Sequence, residues 1–147
     1  YSEADLFCGA SLIITTDEPE SDAALTLRKT AMRLGFARCT ICTPDMHDKM
    51  ISYTSQLPHI LACSYISGPL AANHRGYSAG SFQDVTRVAF INDVMWSELF
   101  LDNADHLSRE IDELIRNLGA FKSALDSGDR DELRRLMIKS RELKEKS

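Results

Sequence analysis

From Ile51 through His74 the chain carries no Asp, Glu, Lys or Arg, although charged residues make up 27% of the whole. A helix through such a stretch has no ordinary solvent face, so it predicts a helix covered by protein on several sides. Gln56, Pro58, His59 and several serines make the run too polar for a membrane span. It therefore reads as the central helix of a globular, mainly α-helical domain. Thr43-Pro44 opens it: Pro suits the first helical position, and Asp45 in the first turn complements the helix dipole.

The segments on either side have different patterns. Ser11-Leu-Ile-Ile-Thr-Thr16 is β-branched and apolar, bounded by Gly9 and by Asp17-Glu-Pro-Glu20, which predicts a short buried strand. Ser21 or Asp22 can cap a helix whose apolar positions are Ala24, Leu27, Ala31 and Leu34, with Gly35 as its stop. A second strand over about 37–42 comes next. Two strands are rarely stable alone, so the sequence implies further strands before Tyr1, and a chain that begins with Tyr rather than Met is expected to be part of something longer. Residues 1–43 are thus expected to close one α/β domain and 44–147 to form a helical one.

After the central helix, 73–81 reads as a loop with Gly76 and Gly80, followed by helices over about 82–91 and 94–103, the second capped by Asn92 or Asp93. A long helix from about Asp105 places Leu107, Ile111, Leu114, Leu118, Phe121 and Leu125 at alternating spacings of four and three, a coiled-coil-like seam. Ser127-Gly128-Asp129 breaks it, and Asp129 with Glu132 starts a last helix bearing Leu133, Leu136, Ser140 and Leu143. The two make a helical hairpin whose apolar surface, with that of the central helix, predicts a homodimer.

A chain of 147 residues is long enough for a real core. The net charge of −5, with Lys and Arg scattered among Glu and Asp in the last helix, argues against nucleic acid or an anionic membrane as partner. Cys39 and Cys42, without a second pair or a paired His motif, do not predict a metal site; with Cys8 and Cys63 they read as buried reduced thiols. Signal-peptide and transmembrane patterns are absent, which predicts a cytoplasmic protein. So are a glycine-rich nucleotide loop, a P-loop and a nucleophile elbow.

Three residues are candidates for chemistry. At about 100° per residue, His59 shares a helix face with Ser52, Ser55 and Cys63, opposite Met46, Met50, Leu57 and Leu61. Small polar groups with an imidazole suit the wall of a polar cavity, and equally a histidine hydrogen-bonded in the core near a kink at Pro58. Arg87 lies opposite the stripe Phe82, Val85, Val88 and Ala89 and beside Phe90 and Ile91, so it reads either as a half-buried anion ligand or as a surface ion pair with Asp84. Trp96, the single tryptophan, reads as core. His47, His74 and His106 have no metal-ligand spacing.

Three segments in order resemble the prephenate dehydrogenases. Thr54-Ser-Gln-Leu-Pro-His-Ile-Leu-Ala62 is similar to their Ser-His-Leu-Pro-His segment, Gly80-Ser-Phe-Gln-Asp-Val-Thr-Arg-Val-Ala89 to Gly-Phe-x-Asp-x-Thr-Arg, and Met95-Trp-Ser-Glu-Leu-Phe-Leu-Asp-Asn103 to Met-Trp-x-x-Ile-Phe-x-x-Asn. Asp5-Leu-Phe-Cys-Gly9 with Leu-Ile-Ile-Thr, and Thr43-Pro-Asp-Met-His-Asp48, look like the end of that family's Rossmann-type nucleotide domain and its crossing into the helical one. The resemblance implies the C-terminal half of an enzyme of tyrosine biosynthesis that oxidatively decarboxylates prephenate or arogenate with NAD or NADP. It further implies a homodimer. By motif, Arg87 would bind a substrate carboxylate, His59 would make a polar contact in the pocket and Trp96 would brace it. The nucleotide loop and the catalytic histidine would lie before Tyr1, leaving this chain without a catalytic or cofactor-binding residue of its own and inactive alone. Gln56 stands where the family pattern has its first histidine; it can hydrogen-bond but does not titrate near neutral pH. Two other readings are a non-catalytic helical interaction module and a different dehydrogenase with a helical dimer domain.

Overall fold

The computed structural model describes residues 6–146; Tyr1 to Asp5, and with them the first residue of the Asp5–Gly9 segment, lie outside the described residues. Strand β1 (Ser11–Thr15) is followed by helix α1 (Asp22–Arg33) and strand β2 (Arg38–Cys42), and the two strands pair in parallel with Ser11 opposite Arg38 and Thr15 opposite Cys42. A parallel pair needs a crossover, and α1 supplies it. The Ser21 hydroxyl caps α1 by accepting from the Ala24 amide, and Gly35 leaves the helix at φ +95, a conformation that favours glycine. Ala24 and Ala31 are the buried residues of α1, and their small side chains let the helix lie close against the strands. The expectation of a buried β1 is corrected: Ile13 is 47% exposed, because α1 covers one face of the sheet and the other is open in this chain.

The central segment is three helical pieces in direct succession. Helix α2 (Pro44–Ile51) is capped by the Thr43 hydroxyl, then a wide π-type turn (Ser52–Gln56) leads into α3 (Leu57–Ile66). Pro58 accounts for the widening: it has no amide hydrogen, and its ring would press on the carbonyl one turn back. The turn closes with the Leu57 amide donating to the Ser52 carbonyl. Ser52, Gln56, Leu57 and Ala62 are buried, whereas Met46, Met50, Tyr53 and Tyr65 are about half exposed or more. The charge-free segment is therefore covered on one side within this chain, not on several. Its neighbours are few: α4 (Gly80–Thr86) and the tight 3₁₀ turn Arg87–Ala89 pack on α3, and α5 (Asp93–Asp102) meets the segment at Trp96 and Leu99.

The expected helix over 82–91 thus ends early, at Thr86, and passes into the 3₁₀ turn. With the turn shortened, Val85 leaves the expected core stripe and is 42% exposed, while Phe82, Val88 and Ala89 are half-buried. The Asn92 side chain caps α5 by accepting from the Met95 amide at 3.0 Å.

Residues Tyr1–Asn103 form one compact unit and Ala104–Ser147 a second. The second is the expected hairpin of α6 (Ala104–Asp126) and α7 (Arg130–Lys146), with the Asp129 carboxylate capping α7 through the Glu132 amide at 2.8 Å. Its seam is only partly filled. Leu107 and Ala124 are buried, and Ile111, Leu114 and Phe121 half-buried, but Leu118 and Leu125 stand 55% and 65% exposed, since two helices cannot enclose a full stripe on each other. Arg116 pairs with Glu113 on the solvent side, and the hydrogen bond and charge of that guanidinium hold the Glu113 carboxyl below its ordinary range.

Candidate functional site

The structure brings His59 and Trp96 together. His59 lies one turn into α3, with Nδ1 2.8 Å from the carbonyl oxygen of Ser55. A carbonyl only accepts, so Nδ1 carries the hydrogen, and in the neutral ring Nε2 keeps its lone pair. The indole of Trp96, on the first turn of α5, stacks on the imidazole with ring centroids 3.9 Å apart and planes 29° from parallel. Phe100 lies against the other part of the indole at 5.4 Å. The imidazole is thus fixed at one nitrogen by the backbone and on one face by an aromatic surface. Its second nitrogen can accept from a hydroxyl, or donate to an anion when the ring is charged.

The bond to the Ser55 carbonyl is the one a structural histidine makes, and the side chain lines neither of the two surface depressions, on α1 and α7. The side chain is nevertheless only half-buried. Ser52, expected on the same polar wall, is fully buried and its hydroxyl donates to the Lys49 carbonyl at 2.7 Å, because the π-type turn takes up an extra residue and rotates the helix beyond it. Trp96 is half-buried rather than core.

Arg87 opens the 3₁₀ turn that packs on α3. It is exposed, not half-buried, because the helix that would have sunk it between apolar neighbours ends at Thr86; Phe90 itself is fully exposed. Among the described residues Arg87 has no ion pair, so the surface pair with Asp84 is not formed either. The guanidinium is left with its planar fork open to an anion.

The cysteines are corrected as well: Cys8 is exposed, and Cys39, Cys42 and Cys63 are half-buried free thiols, because neither the two-stranded sheet nor α3 is enclosed on both sides. Among the described residues no group of three or more His, Cys, Asp and Glu could hold a metal ion, and no helix is long and apolar enough to cross a membrane. Two surface depressions lie on α1, at Leu25, Arg28, Lys29, Met32 and Arg33, and on α7, at Arg134, Met137, Ile138 and Arg141; neither is lined by His59, Arg87 or Trp96.

A buried polar junction next to the stacked pair has no counterpart in the sequence reading. Gln56, 5% exposed, donates from Nε2 to the Leu99 carbonyl and accepts at Oε1 from Asn103 Nδ2, both at 2.8 Å; Asn103 Nδ2 also donates to the Asp48 carbonyl at 2.8 Å. The sequence signals were Gln56 in place of the family pattern's first histidine and Asn103 at the end of the third motif, and neither reveals that the two meet across 47 residues.

The family described as prephenate dehydrogenase, dimerization domain, matches residues 43–139. A cyclohexadienyl dehydrogenase of Zymomonas mobilis is 30% identical over 136 residues, covering 88% of this chain and 46% of that protein. A prephenate dehydrogenase of Bacillus subtilis is 29% identical over 133 residues, 87% of this chain and 36% of that protein. The chain spans less than half the length of these curated relatives. In fold it is similar to Synechocystis arogenate dehydrogenase, with a TM-score of 0.82 at 21% identity over 97% of this chain and 54% of that one. It is also similar to the prephenate dehydrogenase of A. aeolicus in complex with hydroxyphenyl propionate and NAD+, with a TM-score of 0.77 at 24% identity over 99% of this chain and 53% of that one.

Proposed function

The chain belongs to the prephenate dehydrogenase dimerization-domain family, and on that premise we propose that it is the substrate-side, dimer-forming part of a cytoplasmic NAD- or NADP-dependent dehydrogenase that oxidatively decarboxylates prephenate or arogenate. When bound, the cofactor would supply the hydride acceptor for a substrate ring that loses its carboxylate as carbon dioxide and becomes aromatic. The observation that supports the reading is that His59, stacked on Trp96 with one ring nitrogen taken by the Ser55 carbonyl, stands on α3, the helix on which the 3₁₀ turn opening with Arg87 packs. Arg87 binds a substrate carboxylate through its fork, and His59 makes a polar contact through Nε2. Trp96 keeps the imidazole from rotating and gives the ring of the substrate a rigid edge to meet.

The residues present do not fit a dinucleotide. The loop between β1 and α1, where a pyrophosphate would sit in a nucleotide-binding unit, has no glycine and carries Asp17, Glu18 and Glu20, with Asp22 in the first turn of the helix. Four carboxylates there repel phosphate. In this reading the cofactor contacts and, by the family resemblance, the catalytic histidine are assigned to the rest of the enzyme, with residues 1–43 as the closing part of its nucleotide domain and 44–147 as the helical domain. The exposed apolar side chains of the helical hairpin, including Ile115, Leu118 and Leu125, supply surface for a homodimer.

The intact protein, given prephenate or arogenate with NAD or NADP, is expected to reduce the cofactor and release carbon dioxide, and the 147-residue chain alone is expected to do neither. No turnover by the intact protein on either substrate refutes the assignment. Turnover by the chain alone refutes the division of labour.

A further inference from the structure

The central helix and α5 touch in two ways, one turn apart. Gln56 and His59 are separated by three residues on one helix, Leu99 and Trp96 by three on the other, so each interval is about 4.5 Å along its axis. At the first level the Gln56 amide bonds the Leu99 carbonyl and Asn103; at the second His59 stacks on Trp96. Leu99 lies in the last turn of α5, where carbonyls have no partner within their own helix, so the Gln56 donor bonds a group that its own helix leaves open. Asn103 then spends its two amide hydrogens on Gln56 and on the Asp48 carbonyl, tying the end of α5 to α2 and to the last residue of the π-type turn. The three bonds are short and convergent, and every buried polar side-chain atom among the described residues has a partner.

We propose that Gln56 and Asn103 form a positioning clamp that fixes how far α5 lies from the central helix and so seats Trp96 on His59. The inference rests on the proposed function for its kinetic consequence, not for its geometry. A glutamine suits this task because its amide keeps one donor and one acceptor at every working pH, so the seat of the imidazole does not move as neighbouring groups titrate. Neither Gln56 nor Asn103 touches substrate in this scheme. They act through Trp96.

The test uses the intact protein labelled with 5-fluorotryptophan, the Trp96 fluorine resonance being identified by its loss in Trp96→Phe. Gln56→Leu and Asn103→Ala should each move or broaden that resonance in protein that remains folded by circular dichroism. The double variant should be little worse than Gln56→Leu, since the two changes open one clamp. With prephenate or arogenate, whichever is turned over, kcat/KM should fall at least tenfold in Gln56→Leu. The control Asp129→Ala loses a helix cap in the other unit and should leave the resonance and kcat/KM as they were while lowering the melting temperature. Asn103→Ala serves as the milder variant should Gln56→Leu not fold. An unmoved Trp96 resonance in a folded Gln56 or Asn103 variant overturns the clamp, whatever the enzyme turns over. A moved resonance with unchanged kcat/KM overturns its role in catalysis alone, and a protein inactive on both substrates counts against the functional assignment while the resonance still decides the clamp.

Discussion

Removing Arg87 separates folding from substrate binding unusually well, because the guanidinium is exposed and has no ion pair among the described residues. On the folding side Arg87→Ala deletes no intramolecular ion pair, so stability should change by no more than about 0.5 kcal/mol. On the binding side, a charge-assisted contact to a carboxylate is worth about 2–4 kcal/mol when its partner is left unpaired. The fully exposed ring of Phe90 does not shield the guanidinium, which argues for the lower end of that range. At roughly 1.4 kcal/mol per tenfold, a loss of about 2 kcal/mol is about 30-fold in kcat/KM, and more if the rest of the enzyme covers the turn. Arg87→Lys keeps the charge but not the planar fork and should recover part of the loss. The assay is steady-state turnover of the intact enzyme with prephenate or arogenate, alongside thermal melting. A folded Arg87→Ala enzyme with near-normal kcat/KM would refute the placement of Arg87 at the substrate carboxylate.

Two further outcomes are expected. Sedimentation of the intact protein at micromolar concentration should report twice the protomer mass, and Leu118→Glu with Leu125→Glu should shift it toward monomer; a native protein that stays monomeric across that range contradicts the homodimer. Asn92→Ala removes the side-chain cap of α5 and should cost about 1 kcal/mol by chemical denaturation, whereas an unchanged midpoint would mean that water caps the helix equally well.

Local signals in the sequence carried most of the secondary structure. Ser21 or Asp22, Asn92 or Asp93, and Asp129 were readable as helix caps because a cap acts on amides three residues away, and Ser21, Asn92 and Asp129 each accept such a bond; Thr43 caps α2 without having been read as a cap. The strand-helix-strand start and the terminal hairpin came from periodicity and from Gly35 and the Ser127-Gly128-Asp129 break, which are equally local. Motif order likewise identified the family, since three short segments in sequence are specific together. The local reading failed around Pro58. A periodicity of about 100° per residue assumes an unbroken α-helix, and the π-type turn over Ser52–Gln56 broke that phase, burying Ser52 as core.

Exposure and partnership belong to tertiary structure alone. Whether Arg87 sank between Phe90 and Ile91 depended on where α4 stopped, and the tightening at Thr86 decided it. The stack of His59 on Trp96 and the bonds from Gln56 to Leu99 and Asn103 join residues far apart in sequence, so no window along the chain contains both partners. Composition and spacing determined which side chains could hydrogen-bond or stack. Only the packing of α5 on the central helix chose which of them did, because a directional bond of 2.8 Å exists at one relative placement of two helices and at no other.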